Sequence, residues 1–169
     1  MTPLVVLVGA PGSGKTAVGR LVAQRCGARF RDTDADVEAD TGRPVSDIFV
    51  EEGEETFRRL ESAAVAAALE EHEGVLALGG GAVLDPVTRD RLQGHRVVFL
   101  DVGLGDAAQR VGFAQSRPLL VLNPRAELKR MLDERRPVYE QVATAAVSTD
   151  GRTADEVADE IVALLEQSP

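Results

Sequence analysis

The stretch Gly-Ala-Pro-Gly-Ser-Gly-Lys-Thr at residues 9–16 decides the fold. It fits the phosphate-loop pattern G-x-x-x-x-G-K-[ST], and it lies between the short apolar run Leu4–Val8 and a helical pattern that ends near Cys26. Glycines let such a loop bend around a β-phosphate with its N–H groups turned inward, and the N-terminus of the next helix adds positive potential. Lys15 is expected to bridge the β- and γ-phosphates, and the Thr16 hydroxyl is expected to bind Mg²⁺.

The pattern indicates nucleotide binding but does not identify what receives a phosphoryl group, because many enzyme classes and some regulatory proteins share it. The expected ATP contacts are Gly12, Ser13, Gly14, Lys15, Thr16 and Ala17.

Short apolar runs alternate with helical patterns along the rest of the chain. The strand candidates after the first are Ala28–Thr33, Val75–Leu78, Val97–Asp101 and Ala145–Ser148. Most of these runs do not alternate with polar residues, which is typical of parallel strands buried on both faces. The alternation predicts one three-layer α/β/α domain over residues 1–169, built on a central parallel five-stranded sheet. The order of the strands cannot be read from their spacing.

The segment 112–124 does not fit regular structure. It holds several apolar residues without a clear period and is bounded by Gly112 and Pro124. A loop of this length in a compact domain is typical of a lid, so the sequence predicts a mobile lid here.

Composition restricts the partners and the compartment. The chain has 19 basic and 28 acidic residues, a formal charge of −9, which argues against nucleic acid as a partner. An anionic substrate would require basic residues to gather locally. The apolar opening at Leu4–Val8 is too short to span a membrane and carries no signal-peptide features, so we expect a cytoplasmic protein without membrane contact. The single cysteine, Cys26, excludes an internal disulfide and is expected to be a small buried residue.

Three further features point to a second ligand. Asp32 and Asp34 follow the second predicted strand, and residues at i and i+2 on a strand point to the same side. One carboxylate could hold magnesium through water while the other binds a hydroxyl, but an acidic turn that caps the next helix explains the pair equally well. Arg58 and Glu61 share a face of the predicted helix Glu54–Glu71. They form either a rigid guanidinium site for a carboxylate or an ordinary surface ion pair.

The third feature is the glycine triplet Gly79–Gly81 after the strand candidate Val75–Leu78. Three consecutive glycines cost backbone entropy, which is reasonable where a ligand must approach the main chain.

Together these motifs resemble the shikimate kinase family. The motifs that carry the resemblance are the phosphate loop with Gly19-Arg20, Asp32-Thr33-Asp34, Gly42-Arg43 through Ile48-Phe49, Gly53-Glu54 with Phe57-Arg58 and Glu61, Gly79-Gly80-Gly81, Arg117-Pro118-Leu119-Leu120, and Arg136-Pro137-Val138-Tyr139. The resemblance implies a P-loop kinase fold and the phosphorylation of the 3-hydroxyl of shikimate by MgATP, a step toward chorismate and the aromatic amino acids.

The resemblance also implies roles for individual residues. In the acceptor segment, about 33–61, and beyond it, Asp34 would orient the attacking hydroxyl, and Arg58 and Arg136 would clamp the carboxylate of shikimate. The remaining acceptor contacts would be Phe49, Phe57, Gly79, Gly80 and Gly81.

On the nucleotide side, Arg117 would reach the transferring phosphoryl group from the lid. Asp32 would be an outer-shell magnesium partner beside Thr16, and Arg110 would lie against the adenine.

Two other functions remain open from the residues themselves. The chain could be a P-loop kinase for gluconate or a nucleoside monophosphate, or a nucleotide-binding regulatory module without turnover. Arg58, the glycine triplet and Arg136 argue against gluconate, and the retained Lys15 and Asp34 argue against a regulatory module. We expect a monomer, because no extra apolar face is evident in the sequence.

Overall fold

Strand β1, Val5–Val8, lies at the centre of a parallel sheet in the computed structural model, which describes residues 2–111 and 123–167. The other strands are β2 Phe30–Asp32, β3 Val75–Ala77, β4 Val97–Asp101 and β5 Ala145–Ser148. Their order in the sheet is β2-β3-β1-β4-β5, and every neighbouring pair is parallel. The predicted five-stranded parallel sheet is confirmed, and the structure supplies the order that spacing could not.

The helices cover both faces of this sheet. Their bounds are α1 Lys15–Arg25, α2 Thr33–Thr41, α3 Val45–Glu52, α4 Glu54–Glu71, α5 Pro86–Arg91, α6 Leu104–Val111, α7 Pro124–Val142 and α8 Ala154–Gln167, with a 3₁₀ turn at Ala82–Leu84. In the part of the chain described, no helix is long and apolar enough to cross a lipid bilayer.

Strand β1 shows how one strand supports two helical layers. Its side chains alternate between the faces of the sheet: Val5 and Leu7 pack in the cluster formed with α1 and α8, and Val6 and Val8 pack in the cluster formed with α4, α6 and α7. All four are at most 1% exposed. Burial of apolar side chains on both faces is the main favourable term that holds the three layers together.

The parallel arrangement brings five strand ends to one edge of the sheet. The phosphate loop follows β1, Asp32 ends β2, the glycine triplet follows β3, Asp101 ends β4 and Thr149 follows β5. In open α/β sheets, ligands bind in the crevice outside the carboxyl ends of the strands. This edge is therefore where a site is expected.

The ends and caps of several helices lie where the sequence pattern indicates them. Helix α4 has the predicted bounds. The Asp85 carboxylate caps α5 by accepting from the Val87 N–H at 2.9 Å. At the start of α8, the Thr153 hydroxyl accepts from the Glu156 N–H at 3.1 Å, and Glu156 Oε1 accepts from the Thr153 N–H at 3.1 Å. These two bonds form a reciprocal capping box, for which the spacing of Thr153 and Glu156 in the sequence is typical.

Two predictions are wrong. Strand β2 is shorter than Ala28–Thr33, because Asp32 acts as the N-cap of α2 and Thr33 is already helical. Cys26 is exposed, because it follows the last residue of α1 at the turn made by Gly27. Of the predicted lid, residues 112–122 lie outside the described residues, whereas Asn123 caps α7 and Pro124 opens it.

The packing of α1 on the sheet generates a stability prediction. A Cβ at Gly19 would overlap the ring of Phe30, whereas a Cβ at Gly105 in α6 would meet nothing within 4 Å. We expect Gly19→Ala to lower the free energy of unfolding by about 1–3 kcal/mol through overpacking. Gly105→Ala should raise it by up to about 1 kcal/mol by removing a helical glycine.

Urea unfolding of the two variants beside the unmodified chain measures both changes. Equal stability of the two variants would contradict the close contact between α1 and β2.

Candidate active site

The phosphate loop has the backbone that its glycines predict. Gly12 and Gly14 adopt left-handed conformations at φ 82° and 92°, which glycine adopts without steric cost. Ser13 is fully buried between them, and α1 begins at Lys15. The first N–H groups of α1 therefore face the concave side of a loop at the sheet edge, which is an arrangement suited to phosphate.

Lys15 lies across this loop. Its ammonium donates to the carbonyl oxygens of Gly9 at 2.6 Å and Ala10 at 3.0 Å. A cation held at this point reinforces the positive potential of the helix N-terminus, which the predicted role of Lys15 requires.

The predicted magnesium residues lie close together. The Thr16 hydroxyl lies 3.4 Å from Asp32 Oδ2, while Asp32 Oδ1 accepts from the Asp34 N–H at 2.8 Å. The capping explanation of the acidic pair is confirmed, because Asp32 caps α2. The prediction that both carboxylates lie on one side of a strand is wrong, because Asp34 is already in the first turn of α2. The second carboxylate oxygen of Asp32 faces Thr16. A hydroxyl and a carboxylate are the oxygen donors that magnesium prefers.

The donor set fits magnesium better than a softer metal. Within residues 2–111 and 123–167, no three His, Cys, Asp or Glu side chains converge on one point. Because Mg²⁺ is usually held by few protein ligands together with phosphates and water, this sparse oxygen set suits it.

Arg110 joins the phosphate loop to the turn after β5. Its guanidinium donates to the Gly12 carbonyl at 3.2 Å and to the hydroxyl and carbonyl of Thr149 at 3.3 and 3.2 Å. The role predicted for Arg110 against the adenine is untested, but its position at the mouth of the loop is compatible with it.

Two aspartates that the sequence analysis missed strengthen the same junction. Asp106 accepts from the Gly151 N–H at 2.9 Å, and Asp150 accepts from the Gly103 N–H at 2.8 Å. These reciprocal bonds fasten the start of α6 to the turn after β5. No sequence motif marks them, because they depend on two segments almost fifty positions apart.

On the acceptor side, the partly buried Arg58 pairs with the buried Glu61. Arg58 Nη1 donates to Glu61 Oε1 at 2.8 Å, and the Glu61 side chain is only 4% exposed. The Arg58 guanidinium also lies 5.8 and 5.4 Å from the ring centroids of Phe49 and Phe57. Arg58 Nη2 also lies 3.4 Å from the exposed Glu54. Because Glu61 is buried, an ordinary surface pair does not describe the contact, and the guanidinium is held in place by two carboxylates and two rings.

The surroundings of the glycine triplet leave no room for side chains at its positions. A Cβ at Gly79 would lie 2.6 Å from Glu61 Oε2 and 2.7 Å from Asp34 Oδ1, and a Cβ at Gly81 would lie 2.6 Å from Arg58 Cζ. The two carboxylates and the guanidinium therefore surround the triplet and approach its main chain.

The triplet also touches the phosphate loop, since a Cβ at Gly80 would lie 2.9 Å from Pro11 Cδ. The glycine triplet, with Asp34, Arg58 and Glu61 around it, is thus adjacent to the phosphate loop.

Helix α7 carries two neighbouring arginines that differ in their hydrogen-bond partners. Arg136 is paired with Asp101 at 2.5 Å, and its side chain is 38% exposed. Arg135 has a buried Nη1 with no hydrogen-bond partner among the described residues.

Arg135 also falls on the buried stripe of α7, between Leu132 and Tyr139 at spacings of three and four residues. A buried guanidinium nitrogen without an acceptor is costly unless a ligand completes it. The sequence analysis missed Arg135, although the helical spacing of its apolar neighbours could have revealed it.

The structure thus brings together most of the predicted residues. The group at the phosphate loop consists of Lys15, Thr16, Asp32 and Arg110. The group at the glycine triplet consists of Asp34, Phe49, Phe57, Arg58, Gly79, Gly80 and Gly81. Arg136 lies at the adjacent end of β4 against Asp101. Arg117 lies outside the described residues.

Comparisons with known proteins agree on one family. The family model described as shikimate kinase matches residues 11–166. A shikimate kinase of Salinispora tropica is 61% identical over 98% of this chain and 99% of its own length, and one of Streptomyces coelicolor is 54% identical over 92% and 91%.

Solved structures agree with this. A shikimate kinase from Acinetobacter baumannii in complex with shikimate superimposes with a TM-score of 0.92 at 35% identity, covering 98% of this chain and 93% of its own. A gluconokinase from Sinorhizobium meliloti has a TM-score of 0.57 at 23% identity over 96% and 91% of the chains, which shows a shared fold only.

The position of Arg110 generates a prediction for nucleotide binding. Arg110→Ala should weaken ADP binding about tenfold, because the phosphate loop and the turn after β5 lose the side chain that joins them. Isothermal titration calorimetry with ADP measures the change.

The control is Arg130→Ala, which removes an arginine whose ion pairs, to Glu127 and Glu134, stay within α7. Its ADP affinity should match that of the unmodified chain, and equal affinities of the two variants would contradict the joining role of Arg110.

Proposed function

The chain belongs to the shikimate kinase family, and on that premise we propose that it transfers the γ-phosphoryl group of ATP to the 3-hydroxyl of shikimate, giving shikimate 3-phosphate and ADP. One observation carries the assignment to this site: Arg58, paired with the buried Glu61, lies against a glycine triplet that itself touches the phosphate loop. A carboxylate receptor thus stands next to a triphosphate receptor.

ATP is held by the phosphate loop in this proposal. The backbone N–H groups of Gly12 to Ala17 surround the phosphates, Lys15 neutralises the β- and γ-oxygens, and Arg110 lies beside the adenine. The bonds from Arg110 to Gly12 and Thr149 support this placement, since they link the phosphate end of the site to the turn after β5.

Magnesium would be bound by the Thr16 hydroxyl, with Asp32 as an outer-shell partner through water. The 3.4 Å separation of Thr16 Oγ1 and Asp32 Oδ2 supports the pairing. When bound, the ion neutralises charge on the β- and γ-phosphates.

The carboxylate of shikimate binds to arginines from two helices. The first is Arg58, which is held by Glu61 and the phenylalanine rings. We assign the second guanidinium to Arg135, whose buried Nη1 has no acceptor among the described residues. The assignment of this role to Arg136 from the sequence is the alternative, but its side chain is 38% exposed and pairs with Asp101, whereas Arg135 has a buried donor that lacks an acceptor within residues 2–111 and 123–167. Phe49, Phe57 and the triplet Gly79–Gly81 complete the walls.

Asp34 orients the attacking hydroxyl. Its carboxylate lies in the first turn of α2 and approaches Gly79 next to Glu61, so it faces the same space as the carboxylate receptor. Phosphoryl transfer has a loose transition state, so alignment and charge neutralisation matter more than a strong base. Asp34 therefore orients the hydroxyl by accepting its hydrogen bond, and it takes up the hydroxyl proton as the new oxygen–phosphorus bond forms and the bond from the γ-phosphorus to the departing ADP oxygen breaks.

Arg117 remains a predicted contributor from the segment 112–124. A cation at the transferring phosphoryl group would neutralise charge that grows in the transition state, and closure of a lid would exclude water.

We further propose that the enzyme is a single-domain cytoplasmic monomer without nucleic-acid or membrane partners. Its formal charge of −9 supports the exclusion of nucleic acid.

A coupled assay of ADP release tests the function and its rivals. We expect release with shikimate and none above background with gluconate or AMP, because AMP lacks the carboxylate that the arginines bind and open-chain gluconate lacks a ring to pack against Phe49 and Phe57. Lys15→Ala should abolish turnover while it keeps a cooperative unfolding transition. Comparable turnover of gluconate or AMP would contradict the substrate, and an active Lys15→Ala variant would contradict the nucleotide site.

The neighbouring arginines of α7 provide a matched pair of variants. Arg135→Ala should raise the KM for shikimate by about 10–100-fold, the effect of losing a charge-assisted hydrogen bond worth about 1.5–3 kcal/mol. Arg136→Ala should change it less, since Asp101 already binds that guanidinium. Steady-state kinetics with ATP held saturating decides between them; a larger effect at Arg136 returns the clamp to the residue predicted from the sequence.

A further inference from the structure

We propose that Tyr139 is a positioning residue for acceptor binding: its phenol fixes the glycine triplet in the orientation that receives shikimate. This inference rests on the proposed function. It assigns a purpose to a buried hydroxyl that the mechanism does not use directly.

Tyr139 makes a short bond to the triplet from a distant part of the chain. Its side chain is 1% exposed, and its hydroxyl donates to the Gly80 carbonyl at 2.5 Å. The ring stacks on Phe99 of β4, with centroids 5.1 Å apart and an interplanar angle of 29°. The hydroxyl is therefore held by a ring that is itself fixed in the core.

The bond controls more than one carbonyl group. The Gly80 carbonyl and the Gly81 N–H belong to one planar trans peptide unit and point in opposite directions. When the phenol holds the carbonyl on one side, the Gly81 N–H must face the other side. Neither residue has a Cβ to restrict its backbone, so this hydrogen bond replaces the restriction that a side chain would impose.

The direction of this peptide matters because of its neighbour. The Cα of Gly81 faces the guanidinium of Arg58, so closely that a Cβ there would lie 2.6 Å from Arg58 Cζ. A rotated Gly80–Gly81 peptide would change both the N–H offered to the ligand and the space next to the Arg58 clamp.

Tyr139 also ties the triplet to the second arginine. Arg135 precedes Tyr139 by four residues in α7, so the two side chains lie on the same face of the helix. The phenol–Gly80 bond thereby links the helix that carries Arg135 to the loop that faces Arg58. This contact connects both halves of the carboxylate receptor.

The test is Tyr139→Phe, which deletes one oxygen and keeps the ring. The KM for shikimate should rise about tenfold, a loss of about 1.4 kcal/mol of binding free energy. The KM for ATP should stay within about twofold, because the phosphate loop keeps all of its own bonds. A rise in both KM values, or a change in kcat or thermal stability with an unchanged KM for shikimate, would overturn the inference.

Phe99→Leu is the control for packing. It removes the ring that stacks on Tyr139 but keeps the hydroxyl, so it should lower the melting temperature while the KM for shikimate changes less than about twofold. An equal rise of this KM in both variants would assign the effect to core packing and overturn the inference.

The outcome separates two failures. An unmodified enzyme that does not turn over shikimate disproves the proposed function, whereas normal turnover with an unchanged KM in Tyr139→Phe disproves only the role of Tyr139.

Discussion

The close approach of the glycine triplet to the phosphate loop is the constraint on which the rest of the site depends. Strands β1 and β3 are parallel neighbours, so the segments that follow them leave the same edge of the sheet side by side. Gly80 then lies against Pro11, and side chains absent from Gly79 and Gly81 leave room for two carboxylates and a guanidinium. A Cβ at either outer glycine would push these charged groups away from the ligand space.

Positively charged side chains gather at the proposed site although the chain as a whole is negatively charged. A protein of formal charge −9 binds two anions in this proposal, so it must present cations where phosphate and carboxylate lie. Burial of Glu61 beside Arg58 fixes one guanidinium without neutralising all of its donors, since Arg carries five. The exposed ion pairs of α7, such as Arg130 with Glu127, contribute little to stability or to the site.

Local patterns predicted the parts of this structure that local interactions determine. The phosphate loop and the bounds of α4 each depend on residues a few positions apart, and both were predicted from the sequence. Strand order, the bonds of Asp106 and Asp150, and the Tyr139–Gly80 contact depend on segments that only the folded sheet brings together.

The two arginines of α7 show why residue-level prediction stops short of a site. Adjacent residues on a helix are separated by about 100° around its axis, so one position decides whether a guanidinium faces Asp101 or the buried stripe. The motif Arg136-Pro137-Val138-Tyr139 begins at Arg136, so it leaves out the neighbouring Arg135. The two arginines differ in the partners of their guanidinium groups. Arg136 is paired with the Asp101 carboxylate, whereas Arg135 has a buried nitrogen to which an anionic ligand could supply an acceptor. The requirement that buried donors be paired is therefore what favours Arg135 over Arg136 in the proposed site.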